Sequence, residues 1–350
     1  MLPHSPRARR ALKLLIIGLS VLFVLHLALR LYHFANLFGF FKKHSGTLIT
    51  QREILDASIA RKARNDTAVP VVPKILHQVY HNWTDPENTV ITLPQDWAAA
   101  QQSCIDLHPD WEYKLWTIKD SREFIEDNFD WFLSTYDNYK FPIQRVDVIR
   151  YFALRHFGGI YIDLDNGCRE NLEPITYLPA FTTDGGHGAL SNNIIGGQPG
   201  HPFFNLLTES LIPYNWNWFL PYIIVSYTSG QWFVTAIWEK YHQLLSVDGS
   251  VKGFDGNGWG PLHHILMDMR PGQPDPYIFW TQEHGGSWDQ WDNAWFGWIG
   301  SHINLVIEYV VGAIVVTVLF ITGCIFGWRY FAARRNRAKG YKAVAVQETV

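Results

Sequence analysis

Two long apolar runs bracket this 350-residue chain, and between them short apolar runs alternate with amphipathic stretches. Residues 309–328 carry no charge and match the ~20 residues a helix needs to cross a bilayer. Residues 12–31 form the other run; Lys13, His26 and Arg30 interrupt it, and the two charges near its ends can snorkel. Its competing reading is a cleaved leader, against which no small-x-small site follows. Between the runs, residues 51–64 have helical spacing and 66–73 read as a linker. Residues 74–80 form an apolar strand, 97–108 a helix, Glu112–Trp116 a strand and 121–132 a helix. An amphipathic helix over 145–157, a Gly158-Gly159 break and a strand over 160–165 follow. This alternation predicts an α/β fold: a mainly parallel sheet flanked by helices. Further on, 191–197 read as a strand leading to a helix at Phe203, and Thr228-Ser229-Gly230 opens a helix to Leu245. Residues 213–222 (PYNWNWFLPY) hold many aromatics and two prolines, so they cannot be one regular helix. They read as a membrane-facing or acceptor-binding loop, or as an aromatic core segment.

Charge orients the picture. Arg7, Arg9, Arg10 and Lys13 lie at the start, and Arg329, Arg334, Arg335, Arg337, Lys339 and Lys342 follow the last apolar run; Glu348 is the only acid beside them. The middle is left with 19 bases and 31 acids, about −12 net. That sign excludes a nucleic-acid partner. The basic C-terminal flank places that end in the cytosol by the positive-inside rule. With two transmembrane helices, 12–31 and 309–328, the tails 1–11 and 329–350 are cytosolic and 32–305 form a luminal catalytic domain. Asn65-Asp66-Thr67 and Asn82-Trp83-Thr84 are glycosylation acceptors in that luminal part, as expected of a Golgi or ER–Golgi membrane glycoprotein. Of three cysteines, Cys104 and Cys168 either pair in an oxidising compartment or stand as free thiols; no zinc-type spacing occurs. The 16 tryptophans suit carbohydrate stacking or membrane-interface belts.

The chemistry concentrates between Arg145 and Asp165. Asp163 and Asp165 end a buried strand with period-2 spacing, at the sheet edge where open α/β folds hold ligands. Two hard oxygen ligands on one side suit Mn²⁺ or Mg²⁺, which keeps waters and takes phosphate oxygens from a nucleotide diphosphate-sugar. A bare Asp-x-Asp arises by composition alone, and Asp163 capping a turn is the bland alternative. The preceding strand, the glycine pair and Asp147 and Arg150 on the upstream helix give the motif its context. His77 and Gln78, at the end of the first strand, read as nucleotide contacts or as satisfied strand-end groups. His284 can complete a metal shell, and the Trp288 indole can pack on a base or sugar. His263-His264 reads as solvent or helix surface. Without a GxGxxG or P-loop motif, nucleotide binding falls to carboxylates, a metal and stacking.

Several passages together carry a resemblance: Lys74-Ile75-Leu76-His77-Gln78, Val146 to Tyr151, Gly158 to Asp165, Gly200-His201-Pro202-Phe203, and His284 with Gly286-Ser287-Trp288. Over about residues 70 to 290 the chain resembles the Asp-x-Asp sugar transferases of glycosyltransferase family 32, and within it the inositol phosphoceramide mannosyltransferases. The resemblance implies a GT-A fold, GDP-mannose as donor, Mn²⁺, and retention of anomeric configuration. It implies that Asp163 and Asp165 bind the metal and the donor ribose or sugar. Asp147 and Arg150 would hold the donor's sugar hydroxyls and diphosphate, and His284 and Trp288 match the family's late residues. It further implies inositol phosphoceramide as lipid acceptor and a regulatory membrane subunit as partner. Arg145-Val146 and Asn166 depart from the family's usual residues. Rival readings are a Golgi mannosyltransferase for protein-linked glycans, a non-catalytic membrane partner, and a haloacid-dehalogenase-type phosphatase, against which Asn166 argues.

Overall fold

In the computed structural model, the described residues are 6–38, 43–83, 85, 91–185, 188–217, 220–245, 259–267, 277–281 and 291–347. The chain runs α1 (Pro6–Phe38), β1 (Thr47–Thr50), α2 (Gln51–Ala63), β2 (Ile75–Val79), α3 (Gln95–Leu107), β3 (Glu112–Trp116), α4 (Ile118–Asn128), α5 (Asp130–Asp137), α6 (Pro142–Phe157) and β4 (Gly159–Ile162). Then come β5 (Ala180–Asp184), β6 (Leu190–Gly197), α7 (Pro202–Tyr214), α8 (Pro221–Thr228), α9 (Gln231–Leu244), β7 (His263–Leu266), α10 (Asn293–Ser301) and α11 (Ile303–Gln347). The strands form one sheet in the order β1-β7-β5-β6-β4-β2-β3. Four of its six pairings are parallel; β6 alone runs against both its neighbours, β4 and β5. The expected mainly parallel, helix-flanked sheet is present, with this one reversal.

Strand periodicity divides the core between two faces. Tyr161 of β4 packs with α6, α7 and α9, among Phe152, Phe203 and Trp238. Ile160 and Ile162 point the other way, onto Ile54 of α2 and Cys104 of α3. The helix at the centre, α6, starts with Pro142 in its first turn and with the Gln144 side-chain Oε1 accepting from Phe141 N at 2.9 Å. Its ten buried residues include Tyr151, Phe152 and Leu154, each worth ~1.5–3 kcal/mol by burial. It stops at Gly158, whose φ of +66° suits glycine, and Gly159 follows at +99°. A Cβ on Gly159 would lie 2.6 Å from the Ile75 carbonyl, so the glycine pair lets β4 run tight beside β2.

Several sequence expectations change here. The helix expected over 121–132 breaks at Phe129, where α4 hands over to α5. His263-His264 is not solvent or helix surface: it begins β7, paired with both β1 and β5, and His264 is buried. Cys104 and Cys168 are joined as a disulfide, tying α3 to the segment after β4. The aromatic segment 213–222 ends α7 and begins α8, without a continuous helix between.

The chain divides into two compact units, up to Trp288 and from Asp289 onward. In the second, α11 contains Asn304–Phe331, an apolar stretch of 28 residues whose side chains, Phe320 and Phe326 among them, are exposed. Among the described residues this is the one helix long and apolar enough to cross a membrane. The apolar part of α1, Leu14–Arg30, is shorter than the expected span.

Candidate active site

A cavity of about 440 Å³ opens at the C-terminal ends of β2 and β4. Asp147, Arg150, Asp163 and Asp165 all line it, so four of the sequence-derived site residues meet in one place. The expected strand stops short of both carboxylates. β4 ends at Ile162, and Asp163 to Asn166 form a turn closed by Asn166 N donating to Asp163 O at 3.0 Å. Asp163 is kept in register because its N–H donates to Asn193 O of β6 at 2.8 Å. The reversed strand β6 therefore supplies the wall that fixes the motif.

The two aspartates of the motif have different partners. Asp163 lies 3.2 Å from Arg150 Nη1 and accepts from the Tyr161 hydroxyl at 2.5 Å. Asp165 accepts from Asn166 Nδ2 at 2.7 Å. Burial, and then the Asp163 charge beside it, push the Asp165 carboxyl up to about 6. Asp165 is thus a carboxylate short of positive charge, with an oxygen still open to a cation. Among the described residues no third His, Cys, Asp or Glu joins them as a ligand set. An ion here would draw its remaining ligands from water and a diphosphate, which suits Mg²⁺ or Mn²⁺. The donor set fits such an ion, with Asp165 as the freer ligand.

Asp147 and Arg150, one turn apart on α6, form a buried pair at 3.2 Å. Asp147 also accepts from Ser229 Oγ at 2.9 Å and Asn192 Nδ2 at 3.0 Å. Burial pushes its carboxyl up to about 6, opposed by the Arg150 charge. Arg150 donates to Asn192 O at 2.7 Å and lies 4.4 Å over the Tyr161 ring. Burial works against its charge, but Asp163, Tyr161 and Asp147 hold its pKa above the ordinary value. Arg150 therefore bridges the helix carboxylate to the motif carboxylate.

Three of the residues that line the cavity carry a buried polar atom without a protein partner: Arg150 Nε, Trp83 Nε1 and Ser226 Oγ. Buried polar atoms are normally paired, so three open ones among the residues around one cavity leave hydrogen-bonding capacity there for a polar ligand.

Other expected contacts lie elsewhere. His77 is buried behind the wall: Nε2 donates to Gly158 O at 2.8 Å, and Nδ1 accepts from Trp116 Nε1 at 3.2 Å. Burial lowers its pKa to about 4, so it is neutral. Gln78 accepts from the Tyr113 hydroxyl at 2.8 Å and does not line the cavity either. His284 and Trp288 lie outside the described residues. Asn192, Asn193, Ser229, Trp83 and Ser226 were not anticipated. One signal was available: two adjacent asparagines inside an apolar strand run against strand preference.

The sequence has counterparts. The family described as the glycosyltransferase sugar-binding region containing a DXD motif matches residues 94–181. Inositol phosphoceramide mannosyltransferase 2 of Schizosaccharomyces pombe is 37% identical over 267 residues, covering 73% of this chain and 72% of its own. Mannosyl phosphorylinositol ceramide synthase SUR1 of Saccharomyces cerevisiae is 33% identical over 86% of this chain and 74% of its own. Inositol phosphoceramide mannosyltransferase 1 of S. pombe is 29% identical over 86% and 88%. The chain belongs to the Asp-x-Asp sugar-transferase family that contains these mannosyltransferases.

Proposed function

We propose that this chain transfers mannose from GDP-mannose to the inositol headgroup of inositol phosphoceramide, with retention of configuration. The observation that carries the reading is the cavity in which Asp147, Arg150, Asp163 and Asp165 converge, in a chain 37% identical to a curated mannosyltransferase of that lipid. When bound, a divalent cation supplies Lewis-acid neutralisation of the charge that grows on the departing diphosphate. Asp165, with Asp163 beside it, holds that ion; Mn²⁺ is the metal the family resemblance favours. Arg150 presents a fixed positive charge at the same wall, held in place by Asp147 and Asn192. Asp147 orients the donor sugar hydroxyls through its remaining acceptor capacity. The fold is of the GT-A kind, with the ligand at the sheet edge beyond β4.

The membrane reading joins this one. The apolar stretches in α1 and α11 anchor a luminal catalytic domain with both termini cytosolic, in the Golgi or ER–Golgi membrane. The Cys104–Cys168 disulfide supports an oxidising compartment. Of the two sequons, Asn65 is exposed whereas Asn82 lines the cavity, where a glycan would fill the site; Asn65 is the acceptor. A regulatory membrane subunit is a further expectation of the family.

The test is a lipid product assay. Membranes carrying the chain, incubated with radiolabelled GDP-mannose and other nucleotide-sugars, label inositol phosphoceramide from GDP-mannose alone. Asp163→Ala and Asp165→Ala abolish labelling while the protein stays folded. Full activity in either variant, or label appearing on protein glycans instead, refutes the assignment.

A further inference from the structure

The charged wall built by α6, β4 and β6 leaves the cavity's other side to account for. That side is the junction of α8 and α9, where Val225, Ser226, Gly230 and Gln231 line the same space with no charge. Polar, uncharged groups are what a polyol requires, since each hydroxyl both donates and accepts.

Ser226 is the sharpest observation. It is 1% exposed, lines the cavity, and its hydroxyl has no partner. Nearby hydroxyls are engaged: Thr228 Oγ1 accepts from Gln144 Nε2 at 2.6 Å, and Ser229 Oγ donates to Asp147 Oδ2 at 2.9 Å. A buried hydroxyl left open is unfavourable in the empty protein and is satisfied when a ligand hydroxyl meets it. Gln231, on the next helix, reaches only a long 3.4 Å contact with the Tyr222 hydroxyl, leaving amide capacity to spare.

The same two helices reach the anchor. α1 packs on α9. At the C-terminal end of its apolar stretch, Arg30 Nη2 donates to Pro213 O at 3.2 Å, and its guanidinium lies 4.4 Å over the Trp216 ring. The Tyr214 and Tyr227 rings pack 5.3 Å apart beside it, and Tyr222 meets Trp232 at 5.6 Å. A cluster of Trp, Tyr and Arg at the end of an apolar helix is the chemistry of a membrane–water interface. α8 has eight residues, or ~12 Å at 1.5 Å each, and carries Tyr222 in its first turn and Ser226 a turn later. It joins the interface level to the sugar-transfer cavity.

We propose that the α8–α9 wall is the acceptor subsite, in which Ser226 and Gln231 hold hydroxyls of a lipid-borne polyol headgroup whose tails stay at the level of Arg30 and Trp216. This rests on the lipid-acceptor reading above and extends it to named residues. Neither side chain takes part in the donor or metal wall.

The experiment uses the full chain in detergent micelles. KM is measured separately for GDP-mannose, for inositol phosphoceramide, and for the soluble acceptor α-methyl mannoside. For Ser226→Ala and Gln231→Ala the KM of the lipid acceptor rises about tenfold, while the KM of GDP-mannose stays within twofold. Ser226→Ala melts at the wild-type temperature or above, because the hydroxyl it removes bonds to nothing in the protein. A rise in the donor KM with an unchanged lipid KM assigns this wall to the donor and overturns the proposal; unchanged values for both also overturn it. Wild type that mannosylates α-methyl mannoside but not the lipid refutes the lipid reading instead. The subsite is then decided by whether the two variants raise the KM of that acceptor.

Discussion

Asp165 offers a test in which structure and function pull in opposite directions. Its carboxyl is shifted from 3.8 to about 6 by burial and by Asp163. Because the folded protein holds this proton more tightly than the unfolded chain, the folded state loses stability as pH rises from about 4 to 6. The loss is fully present above that window. A shift of that size corresponds to ~3 kcal/mol at 1.36 kcal/mol per unit. Asp165 is partly exposed, so solvent screening reduces this to about 1–2 kcal/mol. Asp165→Asn removes the charge and keeps the oxygen that accepts from Asn166. In metal-free buffer at pH 7 the variant should therefore melt a few degrees above wild type, at ~2–4 °C per kcal/mol for a chain of this class. At pH 4 the difference should vanish. Added Mn²⁺ at a hundred times its Kd should stabilise wild type by ~2.7 kcal/mol and leave the variant unmoved. The assay is a thermal melt of the detergent-solubilised chain, chelated and then loaded, at both pH values. A variant that melts lower than wild type without metal, or one that Mn²⁺ still stabilises, refutes the account of Asp165 as an uncompensated metal ligand.

Other outcomes follow from the same network. Asp147→Ala leaves Arg150, Ser229 and Asn192 each short of an acceptor and should cost ~3–5 kcal/mol, read as a lower denaturation midpoint as well as lost transfer. Cys104→Ser with Cys168→Ser opens a loop of sequence separation 64 and should lower stability by about 4 kcal/mol on the chain-entropy account, measured by denaturant titration. Thr67→Ala should remove an endoglycosidase-sensitive mobility step. It is a cleaner change than replacing Asn65, which holds a left-handed φ of +49° after α2. At a sub-saturating Mn²⁺ concentration, transfer should fall as pH drops toward 6, because the proton competes with the ion for Asp165, and saturating Mn²⁺ should restore it; a pH profile insensitive to Mn²⁺ would contradict this.

The sequence made α6, β4 and the neighbouring strands β2 and β3 readable because their signals are local. The run from Pro142 to Ile162 has a proline start, a helical apolar pattern, a glycine stop and an apolar strand in one contiguous stretch. β2 and β3 are likewise short apolar runs bounded by turn residues. β1, β5 and β7 gave no such signal. β1 and β7 have four residues each, and their identity comes from pairing with segments far away in the chain. His263-His264 looks like surface until β1 and β5 close on either side. The site shows the same division. Asp147, Arg150, Asp163 and Asp165 sit within one supersecondary unit. Asn192 and Ser229 join it from 45 and 82 positions beyond Asp147, and Ser226 from the same later segment, through contacts that no spacing encodes. At His77 the sequence leaves both readings open, because a strand-end histidine and a ligand-facing one share a sequence pattern; the Gly158 carbonyl and the Trp116 indole engage its two ring nitrogens.

Soon after α1, the chain enters the sheet as β1, and α1 itself lies against α9. An enzyme packed directly on its N-terminal helix is held to that helix by side chains as well as by the chain. With α1 embedded, its reaction centre would ride at a constant height over the lipid leaflet, as a plane blade rides over wood. Acceptors confined to that surface pass beneath at the right depth, whereas sugars projecting far from it on a protein would pass out of reach.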